Sequence, residues 1–305
     1  MSLDADLNLD AWIATGERVS IRLESAPRPF DIFRRSEGDG PSVTLLHGFP
    51  TSSWDWARVT RRLRSDFRLL AFDFLGFGDS DKPRDHRYDL VEQADLTEAI
   101  WSAAGERESI VIAHDYGVSV AKELLARHEE GRLRTRLRGV VLLNGILYEE
   151  LHRPLLIQRL LLNPVSGPLV TRLVRERDFA RSFASVFSRE HPIDPAESHQ
   201  HWRAVSRRDG TRIYDRLIQY IGDGRRHAPR WRAALHGTSV PCRFVWGLQD
   251  PVTGPPMITE LRRNLPRAQV LELGSVGHYP QLEAPDEVAR AVVDLAATLG
   301  GPSMS

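Results

Sequence analysis

Asp115 sits in the segment Ala113-His114-Asp115-Tyr116-Gly117, directly after the apolar run Ser109-Ile110-Val111-Ile112-Ala113. The stretch from Val118 to Arg127 reads as a helix. Asp115 therefore falls on a sharp strand-to-helix turn, with small residues two places before and two places after it. That is the setting of a nucleophile elbow, which usually carries a serine or cysteine. A serine alkoxide attacks sp² carbonyl carbon. A carboxylate, with an unperturbed pKa of about 4, is already ionised at pH 7 and displaces a leaving group at sp³ carbon without a base. Such an attack leaves an ester on the protein. Its hydrolysis requires a base to activate water, an acid to orient the base, and N–H donors for the oxyanion.

The base candidate is His278, in Gly277-His278-Tyr279-Pro280, after the last apolar run of the chain. Nucleophile, acid and histidine in that chain order fit an elbow of this kind. The acid candidate is Asp250, in Trp246-Gly247-Leu248-Gln249-Asp250-Pro251. Glu150, in Tyr148-Glu149-Glu150-Leu151-His152-Arg153-Pro154, competes for the role. The backbone N–H of Phe49, in His47-Gly48-Phe49-Pro50, and that of Tyr116 are the expected oxyanion donors. The side chains of His47 and His114 are read as packing groups. Ser119 imitates a serine elbow in Gly117-Val118-Ser119-Val120-Ala121, but it falls inside the helix that follows. The turn Asp73-Phe74-Leu75-Gly76-Phe77-Gly78-Asp79-Ser80 lacks the Gly-Lys-Ser/Thr of a phosphate loop and is read as structural.

The elements needed to hold these residues are legible as short apolar runs alternating with helical patterns. Strands are expected at Ser42–His47, Arg68–Asp73, the run before Asp115, Gly139–Asn144, Arg243–Trp246 and Val270–Leu273, with a helix from Leu90 to Ala104. Near-continuous apolar strands separated by helices indicate a parallel sheet covered on both faces. From about Ile146 to His236 no strand pattern is evident, and helical segments interrupted by Pro164, Gly167 and Pro168 take its place. The expected organisation is an α/β core at 1–145 and 237–305, with a helical cap, or lid, at 146–236 over the carboxyl ends of the strands. The arginines of the insertion are read as a solvated helix face interleaved with Glu176, Asp178 and Asp215. Residues 1–10 and 300–305 are expected to be loose ends.

Lys+Arg and Asp+Glu balance at 41 each, so no global field favours nucleic acid or an anionic membrane. No run of 18 apolar residues predicts a membrane span, and the acidic start Met1-Ser2-Leu3-Asp4-Ala5-Asp6 lacks signal-peptide character. Cys242 is the single cysteine, which excludes an internal disulfide and suggests a packing role. These features predict a cytoplasmic protein with no metal or other cofactor, there being no Cys/His ligand cluster. The oligomeric state is left open.

The motifs resemble α/β-hydrolases with an Asp nucleophile, the group that holds epoxide hydrolases and haloalkane dehalogenases. The likeness is strongest to the subgroup of mesoderm-specific transcript protein and its bacterial relatives. It is carried by His47-Gly48-Phe49-Pro50-Thr51-Ser52-Ser53, Asp73-Phe74-Leu75-Gly76-Phe77-Gly78, His114-Asp115-Tyr116-Gly117, His152-Arg153-Pro154-Leu155-Leu156, Gln219-Tyr220-Ile221 and His278-Tyr279-Pro280-Gln281-Leu282-Glu283. The resemblance implies a mostly parallel eight-stranded sheet, an inserted helical lid and a two-step reaction through an alkyl-enzyme ester. Dehalogenases of the group commonly hold halide with an indole N–H after the nucleophile, and many add an Asn in the oxyanion motif. Tyr116 and Phe49 occupy those positions here. The expected substrate is therefore a small apolar electrophile with an oxygen leaving group, most simply an epoxide opened to a diol by water. Lid tyrosines of epoxide hydrolases protonate that oxygen, and Tyr220 is the candidate, with Tyr148 and Tyr214 behind it. Tyr148, Tyr214 and Tyr279 are also expected to contact substrate. The competing readings are halide displacement, ester or lactone hydrolysis, and a non-catalytic ligand-binding scaffold. Glu150-Leu151-His152-Arg153-Pro154 resembles a dehalogenase subgroup whose acid follows this strand.

Overall fold

The computed structural model describes residues 7–300. The chain opens with α1 (Leu9–Ala14), β1 (Glu17–Ile21), β2 (Phe30–Glu37), β3 (Ser42–Leu46), α2 (Ala57–Leu63) and β4 (Arg68–Phe72). It continues with α3 (Leu90–Ala104), β5 (Glu108–His114), α4 (Tyr116–Glu129) and β6 (Arg136–Leu143). Six helices follow: α5 (Leu156–Leu162), α6 (Ser166–Leu173), α7 (Glu176–Ala184), α8 (Pro195–Ser206), α9 (Tyr214–Leu217) and α10 (Tyr220–Gly237). The chain then returns to the sheet with β7 (Cys242–Gly247), α11 (Pro255–Asn264), β8 (Gln269–Leu273), α12 (Pro280–Glu283) and α13 (Pro285–Thr298). Among the described residues no strand lies between β6 and β7.

The strands form one eight-stranded sheet in the order β1-β2-β4-β3-β5-β6-β7-β8. β2 pairs antiparallel with β1 and β4, and every other pair is parallel. The inner parallel strands are apolar on both faces because helices cover both, whereas the edge strand β8 is largely exposed. Alternate side chains of β5 divide accordingly: Ile110 and Ile112 join one buried cluster with Trp12 and Val292, while Val111 and Ala113 join another with Leu96 and Leu124.

Two features of this sheet position the site. The chain leaves β3 toward β4 on one side and returns to β5 on the other. The crevice between the carboxyl ends of β3 and β5 is thus a switch point, where open sheets bind ligands. Phe49 follows β3 and Asp115 follows β5 across this crevice. In addition, α3 is fixed at both ends: Asp89 accepts the Val91 N–H at 2.8 Å, and Gly105 closes the helix at φ +73°.

The expected loose start needs correction. Residues 1–6 and 301–305 lie outside the described residues, but Leu9 and Asp10 already belong to α1. Leu9 is buried, and its N–H donates to Gln200 Oε1 at 2.7 Å, which ties the helix to α8.

Candidate active site

The elbow is a strained turn. Asp115 has φ +47° and ψ −109°, a conformation that L residues rarely adopt and that surrounding structure must enforce. Part of the enforcement is visible. The Asp115 N–H donates to Asn144 O at 3.0 Å, and the Gly117 N–H donates to His47 O at 3.1 Å. A Cβ at Gly117 would lie 2.5 Å from Leu46 O, so only glycine lets α4 approach β3 this closely. The turn leaves the Asp115 carboxylate at the head of α4, where the helix dipole favours negative charge. Ser119 lies buried within α4, away from the elbow.

Four expected residues meet here. The Phe49 N–H donates to Asp115 Oδ1 at 2.8 Å. The Tyr116 N–H belongs to the first residue of α4, where backbone donors have no partner within the helix. His278 Nε2 stands 3.6 Å from Asp115 Oδ2, while its Nδ1 lies 2.8 Å from Asp250 Oδ2. Asp250 is fixed in turn by Asn144 Nδ2 at 2.8 Å, Thr253 Oγ1 at 2.6 Å and the Val252 N–H at 2.7 Å. Asn144 also braces β7, accepting the Gly247 N–H at 2.7 Å and donating to Gly247 O at 3.0 Å.

All three titratable groups are buried, and their charges decide their ionisation. Burial alone would raise the Asp115 carboxyl. The hydrogen bond and charge of His278, with His114 and the Phe49 amide, outweigh it and hold the carboxyl below the usual range. Burial likewise works against the Asp250 carboxylate, but His278, Thr253 and Asn144 hold it far down. Burial alone would lower His278, but the two flanking carboxylates push it up to about 10. The resting site is therefore carboxylate, imidazolium, carboxylate. Any change that neutralised Asp115 would remove one of the two charges that sustain the imidazolium and lower the pKa of His278.

The other expected residues separate into two groups. Tyr214 and Tyr279 line the cavity in front of Asp115. Tyr220 lies behind Phe49, with its ring centroid 5.9 Å from that of Phe49 and 5.0 Å from that of Tyr116. Among the described residues no atom bonds the buried hydroxyl of Tyr214 or Tyr220. Burial, with the Asp115 charge behind it, raises the Tyr220 phenol. Glu150 and Tyr148 are not brought to the site. The Glu150 carboxylate is exposed and takes Arg232 Nη2 at 2.7 and 2.9 Å, so it is not the partner of His278. The Tyr148 hydroxyl pairs with His236 Nε2 at 3.0 Å and Arg232 lies over its ring. After β6 the chain turns outward toward α10, carrying both side chains away from Asp115.

The cavity encloses about 770 Å³ counted to its open mouth, and its walls come from both halves of the chain. Asp115, His278, Phe49 and Val252 form the floor. Leu161 of α5, Val170 of α6, Phe179 and Phe183 of α7 and Tyr214 of α9 form the roof. No tryptophan lines it. The walls suit an apolar guest, with few polar groups to orient it.

Three contributors escaped the sequence reading. Asn144 ends an apolar run like any strand residue, yet it ties the nucleophile turn to the acid. Glu283 looks like a surface helix residue, but its carboxylate accepts the N–H groups of Gly277 at 2.8 Å, Tyr279 at 3.2 Å and Ser188 at 3.0 Å. It thereby holds the His278 loop from both sides. His152 is buried, no atom among the described residues bonds either ring nitrogen, and burial lowers it to about 4 despite the Asp115 charge. The usable signal for Glu283 was its place in the His278–Glu283 motif. His47 and His114 behave as read. His47 Nε2 accepts the Phe74 N–H at 3.1 Å, and His114 Nε2 donates to the His278 carbonyl at 2.8 Å.

Comparison with known proteins supports the fold and the family. The chain is 44% identical over 264 residues to LipZ of Mycobacterium tuberculosis, covering 86% of this chain and 90% of that protein. It is 41% identical to the mesoderm-specific transcript homolog protein of Homo sapiens, covering 81% of this chain and 76% of that one. It is 28% identical to a cis-3-alkyl-4-alkyloxetan-2-one decarboxylase of Shewanella oneidensis, over 83% of this chain and 81% of that one. In fold it resembles the haloalkane dehalogenase DbeA of Bradyrhizobium elkanii, with a TM-score of 0.78 at 22% identity, over 93% of this chain and 98% of that one. It also resembles the epoxide hydrolase CorEH, with a TM-score of 0.73 at 20% identity, over 93% and 99% of the two chains. The alpha/beta hydrolase family matches residues 45–291, which contain the elbow, the acid and the histidine, and the chain belongs to that family.

Proposed function

We propose that the protein hydrolyses a small apolar epoxide, or a similarly strained oxygen ring, through an ester on Asp115. The observation that carries this reading is an ionised carboxylate at the elbow, with His278 Nε2 at 3.6 Å and the Phe49 N–H at 2.8 Å. Residues 146–236 act as the lid, and residues 1–145 and 237–305 as the core. Asp115 attacks a ring carbon, and the ring C–O bond breaks. The departing oxygen takes a proton from Tyr220. With the Asp115 charge consumed, His278 gives its proton, through solvent, to the Tyr220 phenolate and, held by Asp250, accepts one from water. The resulting hydroxide adds to the ester carbonyl, and the Phe49 and Tyr116 N–H groups stabilise the oxyanion. Collapse expels the diol oxygen, which is protonated by His278. The proton shed as Asp115 returns to carboxylate restores the His278 imidazolium, so the sum is epoxide plus water to diol.

An oxygen leaving group is supported by what surrounds Asp115. Phe49 offers no side-chain donor, and the Tyr116 ring packs against Phe74 and Phe77 behind the elbow. The oxetanone relative is named for a strained oxygen ring, which points the same way. Product analysis separates the readings. A panel of aryl and alkyl epoxides, bromoalkanes and lactones should give diol from an epoxide. Bromide release with no diol would replace this reading by halide displacement, and acid from lactones alone by ester hydrolysis. Tight binding without turnover, unchanged in His278→Ala, would indicate a binding scaffold.

A further inference from the structure

The α5–α6 hairpin has two faces of the same apolar character, and only one of them is used by the cavity. Leu155, Ile157, Leu161, Val170 and Val174 point inward and line it. On the outside, Leu156 is 73% exposed, Val165 77%, Leu169 55% and Leu173 69%, with Leu160 beside them. Among the described residues, only Leu271 is exposed in the same way elsewhere. The spacing is regular: Leu156 and Leu160 lie four residues apart on α5, and Val165, Leu169 and Leu173 follow at four-residue steps along α6. Residues four apart share a helix face, so these side chains form an outward apolar stripe rather than scattered surface leucines.

The charges beside the stripe have one sign. From residue 151 to residue 175 the chain holds Arg153, Arg159, Arg172 and Arg175 and no acid. All four are exposed, and no carboxylate pairs with any of them among the described residues. Of the acids around the hairpin, Glu176 and Asp178 are engaged elsewhere and Asp215 is half-buried. Glu176 Oε1 takes His199 Nδ1 at 2.6 Å, Asp178 accepts the Arg175 N–H at 3.1 Å and lines the cavity, and half-buried Asp215 lies beneath Gly167. The chain as a whole is neutral, so this is a local basic, apolar surface on a neutral protein.

We propose that the outer face of α5–α6 docks on an anionic lipid surface. The leucine stripe would sit at the boundary between headgroups and acyl chains, with the four arginines among the phosphates. The attachment is peripheral, since no helix of the described residues is long and apolar enough to cross a membrane. Charge complementarity selects this occupant over a second copy of the chain, because a self-paired hairpin would set the arginines against one another. Docking would bring the wall of the substrate cavity against a lipid phase in which apolar molecules concentrate. The inference does not depend on the reaction assigned to Asp115.

Flotation of the purified full chain with vesicles tests it. The wild type should float with phosphatidylcholine vesicles containing phosphatidylglycerol, far less with phosphatidylcholine alone, and less as salt is raised. The double variant Leu169→Glu/Leu173→Glu should lose at least about ten-fold in partitioning, with an unchanged thermal melt because both sites are exposed. Arg159→Gln/Arg172→Gln keeps the stripe and should lose roughly five-fold per arginine on anionic vesicles alone. The proposal is overturned if the wild type does not float with anionic vesicles, or if the glutamate variant floats as well as the wild type. It is equally overturned if the stripe instead supports a concentration-dependent dimer that vesicles do not compete away.

Discussion

The Asp250–His278 pair beneath the cavity and the tyrosines Tyr214 and Tyr220 treat their polar groups in opposite ways. Beneath the cavity, the Asp250 carboxylate faces four donors, from His278, Asn144, Thr253 and the Val252 amide. The His278 loop is gripped by Glu283, by Val186 O and by His114. Among the described residues, by contrast, no atom bonds the hydroxyls of Tyr214 and Tyr220 or either nitrogen of His152. A buried polar group without a partner costs about 1–3 kcal/mol. The floor is thus built for rigidity, which preorganised charge stabilisation requires. Tyr214, which lines the cavity, and Tyr220, which lies behind Phe49, hold hydrogen-bonding capacity that folding does not use.

Substitutions can break this contrast at several strengths. The largest effect is expected for Asp115→Asn, which removes the nucleophile without changing its volume. Steady-state turnover should fall on the order of 10⁴-fold or more, with fold and melting temperature retained. His278→Ala should abolish steady turnover while leaving the first step, and intact-protein mass spectrometry should show a substrate adduct on Asp115 at up to one equivalent. An unmodified protein after incubation with a turned-over substrate would contradict the division of labour between the two residues.

The acid comes next. Asp250→Asn should lower turnover by roughly 10⁴-fold and lower the pKa of His278, measurable by NMR, because the largest influence raising it is the Asp250 charge. Glu150→Gln should leave activity unchanged and stability within about 0.5 kcal/mol, since it breaks only an exposed pair with Arg232. Equal losses in the two variants would sink the assignment. Tyr220→Phe probes the unbonded tyrosines. The rate of ester formation should fall roughly 10²-fold for oxygen leaving groups, with stability equal to or above that of the wild type because a buried unbonded hydroxyl is removed. A loss of stability with no change in that rate would mark Tyr220 as a packing residue.

The smallest expected effect is on stability against pH. His278 is raised to about 10, so its contribution is full below its unfolded value of about 6.5 and is lost as pH rises through 10. Asp250 and Asp115 are depressed, so theirs are full above about 4 and are lost as pH falls through their lower native values. His114 and His201 are lowered to about 3 and His152 to about 4 by burial. Below about 6.5 the unfolded chain takes up protons that these buried rings refuse. The melting temperature should therefore begin to fall between pH 6.5 and 4, before the carboxylates titrate, and His152→Leu should flatten part of that slope.

The same contrast explains what the sequence made legible. The inner parallel strands announce themselves because both faces are buried, and α3 spans Leu90–Ala104 as read because Asp89 and Gly105 mark its ends. The antiparallel strands β1 and β2 escaped because Arg18, Arg34 and Arg35 interrupt any apolar run, as befits strands with partly exposed faces. Asp115, His278 and Asp250 were readable because each follows a recognisable strand. Glu150 and Tyr148 misled because nothing local reveals that the chain turns outward after β6. Asn144 and Glu283 act through partners more than 100 and up to 95 residues away in sequence, a relation that one segment does not encode. The arginines of the insertion were read as balanced by acids, but in α5–α6 the balance fails locally.

The central claim is that substrate becomes esterified to Asp115. A single turnover in ¹⁸O-labelled water, with enzyme in excess over a substrate that the protein hydrolyses, followed by peptide mass spectrometry, tests it directly. Water that attacks the Asp115 ester leaves its oxygen in the carboxylate, so the peptide containing Asp115 should carry label while the first product molecules carry none from solvent. Label in the product, with an unlabelled Asp115 peptide, would mean that water attacks the substrate itself and would contradict the account.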